Sequence, residues 1–453
     1  MKSLRRFSTV LAGSLIAGLC LAGSDVRPPL LAGLDAAYPS LDALYRDLHQ
    51  NPELSLQEEK TAAKLAGRMR ALGFEVTEHV GGFGLVAVLR NGAGPTVMLR
   101  TDLDALPIRE QTGLPYASTA TAKDEKGEIV PVMHACGHDV HMVSWVGAAT
   151  LLSRAKDRWK GTLVFIGQPA EEVLQGAQAM LKDGLLTRFP KPDYVLGIHD
   201  TNLLPAGKVD AVPGPASAAS NSVDIVFYGR GGHGALPQLT VDPVLIASRA
   251  VVTLQSIIAR EVNPLNPAVI TVGTFHAGTK RNIIADEATL QLTVRSYKPQ
   301  VQQQLLAAIT RIAKAEAAAG GAPREPTITI DPREASEVVD NDPAMAARLN
   351  SALRRGLGDA NVQAIEPTMA SEDFGMFGRA AGAPSLQLRL GAIDPAVFEK
   401  ARAAGQLAPG VHTAAFAPDR ERTLRTGAAA LALSALELLN GSRPVAAARS
   451  AAQ

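Results

Sequence analysis

Cysteine, aromatic residues and an excess of charge of one sign are all scarce in this chain of 453 residues. It contains two cysteines and 4% aromatic residues, and its formal net charge is +1. No surface rich in lysine and arginine is indicated, so nucleic-acid binding is not expected. The hydrophobic share of 46% is ordinary for a globular protein, which argues against disorder.

Long apolar runs are missing except near the N-terminus. There a basic start at residues 2–6 precedes an apolar run over residues 10–22, which ends in small residues. This pattern predicts a cleaved signal peptide over residues 1–24 and a periplasmic or secreted protein without stable membrane insertion. An uncleaved anchor is the alternative. After cleavage Cys136 is the only thiol, and since it has no partner, it is expected to be buried or bound to a metal.

Predicted strands and helices alternate through the first half of the chain. The strands cover residues 84–90, 96–100, 162–166 and 194–198, and the helices cover residues 41–49, 57–72, 140–152 and 177–185. This order predicts an α/β catalytic domain with a mostly parallel sheet between helices. Three of the strands lead into residues suited to metal binding or acid–base chemistry. Ligands bind at the carboxyl ends of such strands.

The pattern changes near residue 213. The order strand–helix–strand–strand–helix–strand then predicts an inserted ferredoxin-like α+β domain. Its first helix starts at Asp242-Pro243, a good N-cap followed by proline, and the predicted apolar face consists of Val244, Ala247, Val251, Leu254 and Ile258. The predicted domains are the catalytic domain in two parts, residues 25–215 and 334–442, the inserted domain, residues 216–333, and a tail, residues 443–453.

The densest group of candidate metal ligands is the segment 134–141, which holds three histidines, a cysteine and an aspartate. Thiolate and imidazole together suit zinc and the later first-row metals. A structural zinc site would need a second Cys/His pair of similar density, which the sequence lacks. An open, catalytic metal site is therefore predicted, and histidines hydrogen-bonded inside the core are the alternative.

Two adjacent carboxylates, Glu171 and Glu172, follow an apolar strand. One of them can bind a metal while the other acts as a general base; two ordinary glutamates on a solvated loop are the alternative. His199 ends the next predicted strand and is a further candidate ligand. His412, much later in the chain, is weak as a candidate by itself.

Eight ordered segments carry a family resemblance: residues 49–54, 102–108, 134–141, 168–172, 197–199, 231–235, 282–284 and 371–374. With these motifs the chain resembles the metal-dependent amidohydrolase branch of the co-catalytic metallopeptidases, which includes hippurate hydrolase and the auxin-conjugate hydrolases. Aminoacylases, carboxypeptidase G and bacterial dipeptidases are similar at a greater distance. The resemblance runs from residue 41 to residue 439.

The resemblance implies a centre of two divalent metal ions, either Zn, Mn, Co or Ni. Its implied ligands are Cys136, which bridges the two ions, and His138, Glu172, His199 and His412. Two further roles are implied for side chains beside the metals. Glu171 is the implied general base for a metal-bound hydroxide, and Asp104 is implied to orient a histidine ligand.

The resemblance also assigns roles to the inserted domain, which is implied to form a homodimer and to act as a lid. His233 is implied to stabilise the oxyanion, in its own subunit or in the partner subunit. Asn282 is implied to hold the substrate. Arg281 and Arg295 are candidates for binding the substrate carboxylate, and a surface or structural role is the alternative for each. The chain departs from the family pattern at Thr101 and in lacking an Asn-Pro pair after His412.

These implications predict an exported amidohydrolase that cuts the amide bond of N-acyl amino acids, such as hippurate-like conjugates. A dipeptidase or carboxypeptidase with the same mechanism is the first alternative. A metal-binding or solute-binding protein without catalytic activity is the second. The sequence does not separate the first two, because both chemistries use the same site.

Overall fold

The structure is a computed structural model that describes residues 29–441. The predicted signal peptide and the predicted tail lie outside these residues. The described α-helices are α1 (Leu34–Gln50), α2 (Glu59–Ala71), α3 (His138–Arg154), α4 (Gly176–Lys182), α5 (Leu185–Arg188), α6 (Pro243–Ser256), α7 (Pro299–Ala319), α8 (Pro343–Leu357), α9 (Gly375–Ala381), α10 (Pro395–Ala403) and α11 (Arg420–Leu439). The strands are β1 (Glu75–Glu78), β2 (Leu85–Asn91), β3 (Thr96–Asp102), β4 (Thr121–Lys123), β5 (Ile129–Pro131), β6 (Gly161–Gln168), β7 (Tyr194–Pro205), β8 (Val209–Asp210), β9 (Gly214–Ser217), β10 (Ala219–Tyr228), β11 (Gly232–His233), β12 (Ala268–Ala277), β13 (Ile283–Ile284), β14 (Glu287–Ser296), β15 (Thr327–Ser336), β16 (Val339–Asn341) and β17 (Ser385–Ile393).

The larger sheet has seven strands in the order β1-β2-β6-β3-β7-β17-β8. Its four central strands, β6, β3, β7 and β17, are parallel. The antiparallel strands β1, β2 and β8 lie at the two edges. The predicted α/β class is thus confirmed, with a parallel centre and antiparallel edges. Because the central strands are parallel, their carboxyl ends meet at one edge of the sheet.

Helices cover both faces of this sheet, and the strand β2 shows why. Successive side chains of a strand point to opposite faces. Leu85, Ala87 and Leu89 therefore pack into one core with helices α1, α3 and α11. Val86 and Val88 pack into a second core with α4 and α9 on the opposite face. A strand buried on both faces reads as a continuous apolar run, as β2 does.

The smaller sheet has four antiparallel strands in the order β12-β14-β10-β15. Helices α6 and α7 pack on it around a separate apolar core. The chain order β10-α6-β12-β14-α7-β15 is the ferredoxin-like order that the sequence predicts. This unit runs from residue 219 to residue 336, and the exact domain boundaries stay a prediction.

Helix α6 buries most of the apolar face predicted for it. Asp242 caps the helix as expected, since its side chain accepts a hydrogen bond from the backbone N–H of Val244 at 2.9 Å. Ala247 and Leu254 of that face are buried, and Val251 and Ile258 pack partly buried against the same core. Val244 is 39% exposed, whereas Ile246 and Ala250, outside the predicted face, are buried. The helix carries apolar residues on most of its faces, so periodicity alone does not select the buried one.

The segment Pro243–Glu261 is long and apolar enough to cross a membrane, judged by length and composition only. One third of its most apolar window, 33%, is buried in the structure. Ile246 and Leu254 belong to the apolar core beneath the four-stranded sheet, which accounts for the apolar character of that face.

Other elements also differ from the prediction. Helix α1 begins at Leu34, well before the predicted start at Leu41, and contains Pro39. Strand β7 continues beyond His199 to Pro205, because it stays paired with β17. The short helices α9 and α10 were not predicted.

Candidate metal centre

The turn before helix α3 presents Cys136 and His138 to one point. Between them Gly137 adopts a left-handed conformation with φ of 72°, which glycine adopts without strain. A Cβ atom at this position would lie 2.6 Å from Oδ1 of Asp200. Glycine is therefore required both by the turn and by the close approach of Asp200. His138 is the first residue of α3.

Five predicted ligands come together at the carboxyl edge of the parallel strands, in two groups that share Cys136. The first group is Cys136, His138 and His199, and the second is Cys136, Glu172 and His412. Nε2 of His199 lies 3.6 Å from Sγ of Cys136, and Nε2 of His412 lies 3.2 Å from it. His412 also approaches Glu172, with Nε2 and Oε2 separated by 3.4 Å. Two ligand groups that share a sulfur atom are suited to hold two neighbouring cations.

Two of the histidines are oriented through their second ring nitrogen. Nδ1 of His138 donates to the backbone carbonyl of Asp104 at 2.8 Å, and Nδ1 of His199 donates to that of Asp200 at 2.7 Å. These hydrogen bonds fix the tautomer and leave both Nε2 atoms facing the centre. Metal-binding histidines are commonly held in this way.

Asp104 holds the centre together through its side chain as well. Its carboxylate lies 3.3 Å from Nδ1 of His138 and accepts hydrogen bonds from the hydroxyl of Ser55 at 2.7 Å and from the backbone N–H of Glu172 at 2.9 Å. Asp104 therefore connects three chain segments, one of which carries a candidate base and a candidate ligand.

Burial and like charges disfavour the ionised forms of the acidic ligands. Burial, and then the nearby Glu172 and Glu171, raise the pKa of Cys136 well above its usual range. Burial is also the largest cause that raises the pKa of Glu172, to about 7. Burial, and then His141, lower the pKa of His199 to about 3. Burial therefore opposes ionisation of Cys136 and Glu172, two of the candidate ligands.

The ligand atoms fit bound cations. Nε2 of His138 and Oε1 of Glu172 are buried and have no hydrogen-bond partner among the described residues. An unpaired buried polar atom is costly, and these two lie 3.8 Å apart, beside the thiol. Divalent cations would pair these atoms and favour the thiolate and carboxylate forms.

Glu171 lies next to the ligand set and faces the same cavity. Its Oε2 atom is 3.7 Å from Nε2 of His138. Burial, and then the neighbouring Glu372, raise its pKa well above the usual range for a carboxyl. A raised pKa favours proton uptake, as a candidate general base requires.

A buried ionic network lies behind Glu171, the candidate base. The guanidinium of Arg100, which is 1% exposed, donates to Asp102, to Glu372 at 2.8 Å and to Asp373 at 3.2 Å. Asp373 also accepts two hydrogen bonds from Nε2 of Gln168, at 2.7 and 2.8 Å. One arginine is thus shared by three carboxylates, which ties the ends of β3 and β6 to the segment before α9.

A cavity of about 760 Å³ opens from the ligand set toward the inserted domain. Its polar wall on that side includes Ser220, Ser222, Thr293 and Arg295. Arg295 donates to the backbone carbonyl of Met369 at 2.8 Å and has no acidic partner among the described residues. This guanidinium is available to a negatively charged group in the cavity.

Three predicted residues lie elsewhere. His233, on strand β11, is exposed, and its Nδ1 accepts a hydrogen bond from the backbone N–H of Ala235 at 3.0 Å. Asn282 and Arg281 are exposed beside the paired strand β13. None of the three lines the cavity, so the structure places them together but does not bring them to the metal ligands of their own chain.

His141, Asp102 and Asp200 are three buried residues of the site for which the sequence predicted no role. The two ring nitrogens of His141 lie 2.8 Å from a carboxylate oxygen of Asp102 and 2.9 Å from one of Asp200, so both nitrogens are already paired. Asp102 ends β3 and Asp200 follows His199. The rule that ligands bind at the carboxyl ends of parallel strands, which selected other residues of the site, could therefore have selected both aspartates. His141 follows His138 by three residues on helix α3, so the two side chains share one face of the helix. This spacing could have placed His141 at the site.

Comparisons with known proteins agree with this site. The family model described as Peptidase family M20/M25/M40 matches residues 98–418. Hippurate hydrolase of Campylobacter jejuni is 38% identical over 338 residues, which cover 74% of this chain and 84% of that protein. Thermostable carboxypeptidase 2 of Saccharolobus solfataricus is 35% identical over 399 residues, which cover 87% and 94% of the two chains.

A solved structure extends the likeness to three dimensions. The YXEP protein of Bacillus subtilis, described as a dinuclear metal binding peptidase from the M20 family, matches with a TM-score of 0.70 and 29% sequence identity. The match covers 89% of this chain and 99% of that one. Sequence and fold therefore place the chain among metal-dependent hydrolases of amide bonds.

Proposed function

Since the chain belongs to peptidase family M20/M25/M40, whose relatives hydrolyse amide bonds, we propose that it is an exported hydrolase of N-acyl amino acids. The observation that carries the proposal is the cavity, which has candidate metal ligands on one wall and, on another, the guanidinium of Arg295, which has no acidic partner among the described residues. A substrate with an amide bond and a nearby carboxylate can place the amide at the candidate metal ligands and the carboxylate at Arg295. This makes Arg295 a better candidate than Arg281 for binding the carboxylate.

Cys136, His138, Glu172, His199 and His412 would hold two divalent metal ions. When bound, such ions supply Lewis acidity, which polarises the amide carbonyl and lowers the pKa of water. Zn, Mn, Co and Ni all suit a thiolate with imidazoles and a carboxylate. Asp104 orients the imidazole of His138 through the contacts described above, and the hydrogen bond of His199 to a carbonyl does the same for that ring.

Glu171 is the general base in this proposal. It takes a proton from the attacking water, whose oxygen bonds to the amide carbon, and returns the proton to the leaving nitrogen as the C–N bond breaks. Its buried position beside Glu372 supports the assignment, because a raised pKa lets one carboxyl perform both transfers.

The inserted domain supplies the remaining groups, and we place His233, Asn282 and Arg281 at the cavity of a partner subunit. Two features support a homodimer. Strand β12 is an edge of the four-stranded sheet, and the neighbouring helix α6 exposes Leu245 and Val252, which are 60% and 73% accessible. Exposed apolar side chains beside an unpaired strand edge are typical of an association surface.

The test is metal-dependent release of free amino acid from a panel of N-acyl amino acids and dipeptides. Wild type and Glu171→Ala are compared, with bound metal counted per chain in both. We expect wild type to cleave N-acyl amino acids, and Glu171→Ala to keep its metal while it loses activity. A wild type that binds two metals but cleaves nothing on the panel would show that the substrate class is wrong.

A peptidase acting on short peptides is the second candidate, and the acidic rim of the cavity favours it. Glu125 and Glu334 line the cavity, and carboxylates there could receive the free amino group of a dipeptide. Replacing both by glutamine is expected to lower kcat/KM for dipeptides only, if the second candidate is correct. If the double variant has the same kcat/KM as wild type for dipeptides and for N-acyl amino acids, this candidate is removed.

Export is part of the proposal on the strength of the N-terminal sequence. A chain expressed with its own N-terminus in a bacterial host should appear outside the cytoplasm and lack residues 1–24 or nearly so. N-terminal sequencing of the mature protein is the measurement. A cytoplasmic protein that starts at Met1 would contradict it.

A further inference from the structure

Backbone strain is concentrated at the cavity. Five described residues other than glycine have a positive φ: Leu56, His79, Ala170, Leu174 and His412. Leu56, Leu174 and His412 line the cavity, and Ala170 directly precedes Glu171. A left-handed conformation costs a side chain other than glycine about 1–2 kcal/mol, and such strain collects at functional sites.

Neither of the two strained leucines belongs to an apolar core of the described residues. Glycine or asparagine would adopt φ values of 66° and 57° with less strain. Leu56 is also 52% exposed to solvent, so it contributes little to any core. The side chains are therefore best explained by what they contact in the cavity.

A buried carboxylate joins the two strained segments. One oxygen of Glu58 accepts hydrogen bonds from the backbone N–H of Leu56 at 2.9 Å and from that of Ala170 at 2.8 Å. A common acceptor places the two backbones side by side. The turn continues to Leu174, whose backbone N–H donates to the carbonyl of Glu171 at 2.7 Å.

The lining of the cavity differs in chemistry between two of its walls. Its wall from the inserted domain is polar and carries Arg295. The wall around the candidate ligands carries four apolar side chains, which belong to Leu56, Val173, Leu174 and Val411. A substrate held by its carboxylate on the polar wall, with its amide at the ligands, extends its other end toward apolar side chains.

We infer that Leu56 and Leu174 form an apolar subsite for the acyl group, and that they select extended aliphatic or aromatic acyl groups over acetyl. This inference rests on the proposed function, because it names the acyl half of that substrate. The leucines touch the substrate but take no part in the proton transfers. Their removal should therefore change the preference among acyl groups more than the rate with the smallest one.

The experiment measures kcat/KM for acetyl-, butanoyl-, hexanoyl- and benzoylglycine with wild type, Leu56→Gly and Leu174→Gly. Glycine is chosen because it relieves the positive φ, so both variants should fold. His79→Gly is the matched control, since it relieves the same kind of strain at an exposed residue outside the cavity. Dipeptides with a free amino group are run in parallel, and thermal unfolding checks that all variants are folded.

In wild type we expect kcat/KM to rise about fourfold for each methylene that the subsite buries. In Leu56→Gly and Leu174→Gly, hexanoyl- and benzoylglycine should lose about tenfold or more, while acetylglycine changes less than about threefold. His79→Gly should match wild type. Acylglycines cleaved with the same preference in all four proteins would overturn the subsite but leave the proposed function intact. Cleavage of dipeptides alone, with no acylglycine hydrolysed, would overturn both.

Discussion

At the scale of single residues, Gly137 decides whether the ligands can converge. Its left-handed backbone and its contact with Asp200 act together, and Gly137→Ala would disturb both. We expect this variant to bind metal about ten- to a hundredfold more weakly and to lose activity in proportion. Metal titration monitored by calorimetry is the measurement.

Gly73 is a control position that separates the effect of backbone strain from the effect of a steric clash. Gly73 has a similar φ of 84°, but an added Cβ there would have no neighbour within 4 Å. Gly73→Ala should therefore lower stability by about 1 kcal/mol and leave metal affinity unchanged. Equal metal affinity in Gly137→Ala and wild type would contradict the role given to this turn.

Glu58 predicts a pH dependence of stability. Burial, and then the charge of Asp104, raise its pKa from 4.5 to about 7. Between these values the folded protein keeps a proton that the unfolded chain has lost, so this group lowers the free energy of unfolding as pH rises through that window. Above pH 7 the penalty is constant.

The variant Glu58→Gln tests this effect, because glutamine keeps the acceptor oxygen for Leu56 and Ala170 without ionising. It should be more stable than wild type at pH 8, by up to about 3 kcal/mol, and nearly equal to it at pH 4.5. Urea unfolding at both pH values measures the difference. Glu59→Gln, at an exposed neighbouring position, is the control and should show no such gain.

At the scale of elements, the cap of helix α8 offers a local test of stability. The carboxylate of Asp342 accepts a hydrogen bond from the backbone N–H of Met345 at 2.8 Å. Asp342→Ala should lower the free energy of unfolding by about 1 kcal/mol, because an N-terminal donor loses its partner. Asp342→Asn should stay within a few tenths of wild type in the same urea experiment. A loss as large in Asp340→Ala, at an exposed position, would show that the cap is not the cause.

The sequence predicted most of the elements that position the site. Strands β2, β3 and β6 are short apolar runs with clear boundaries, and Asp242-Pro243 is a strong helix start. The missed helices α9 and α10 are short, at seven and nine residues, so their periodicity is weak. The early start of α1 was missed because Pro39 argues against a helix locally, whereas packing of Leu34 and Ala37 in the core overrides that preference.

The sequence predicted which residues could be metal ligands, but it did not predict the other contacts of the candidate site. Adjacent motifs could be placed at strand ends, but contacts between distant segments, such as Arg100 with Glu372, depend on the tertiary fold. The same holds for Ser55 and Glu58, whose partners lie 49 and 112 residues away. Positive φ at Leu56 and Leu174 has no sequence signal, because leucine is not a residue that indicates this conformation.

At the scale of the whole molecule, the proposed dimer predicts complementation between inactive variants. If His233 serves the partner's site, His233→Ala and Glu171→Ala protomers mixed after partial unfolding should regain activity. Roughly a quarter of wild-type activity is expected, since half of the dimers are mixed and each holds one intact site.

Light scattering of each variant alone checks that both are dimers before mixing. A mixture no more active than its components would mean that His233 serves its own chain. The double variant His233→Ala/Glu171→Ala mixed with wild type is the control, because its mixed dimers have no intact site if His233 acts across the interface.

The contact between Cys136 and His412 has a consequence for when the centre is completed. These two residues are 276 positions apart in the chain, and His412 lies close to the C-terminus. A cation held by both closes a loop that spans most of the catalytic fold, so its binding energy contributes to folding. If the proposed export carries the chain across the membrane unfolded and from its N-terminus, the last ligand crosses near the end of translocation. The metal supply of the receiving compartment, and not that of the cytoplasm, would then decide which ions the enzyme carries.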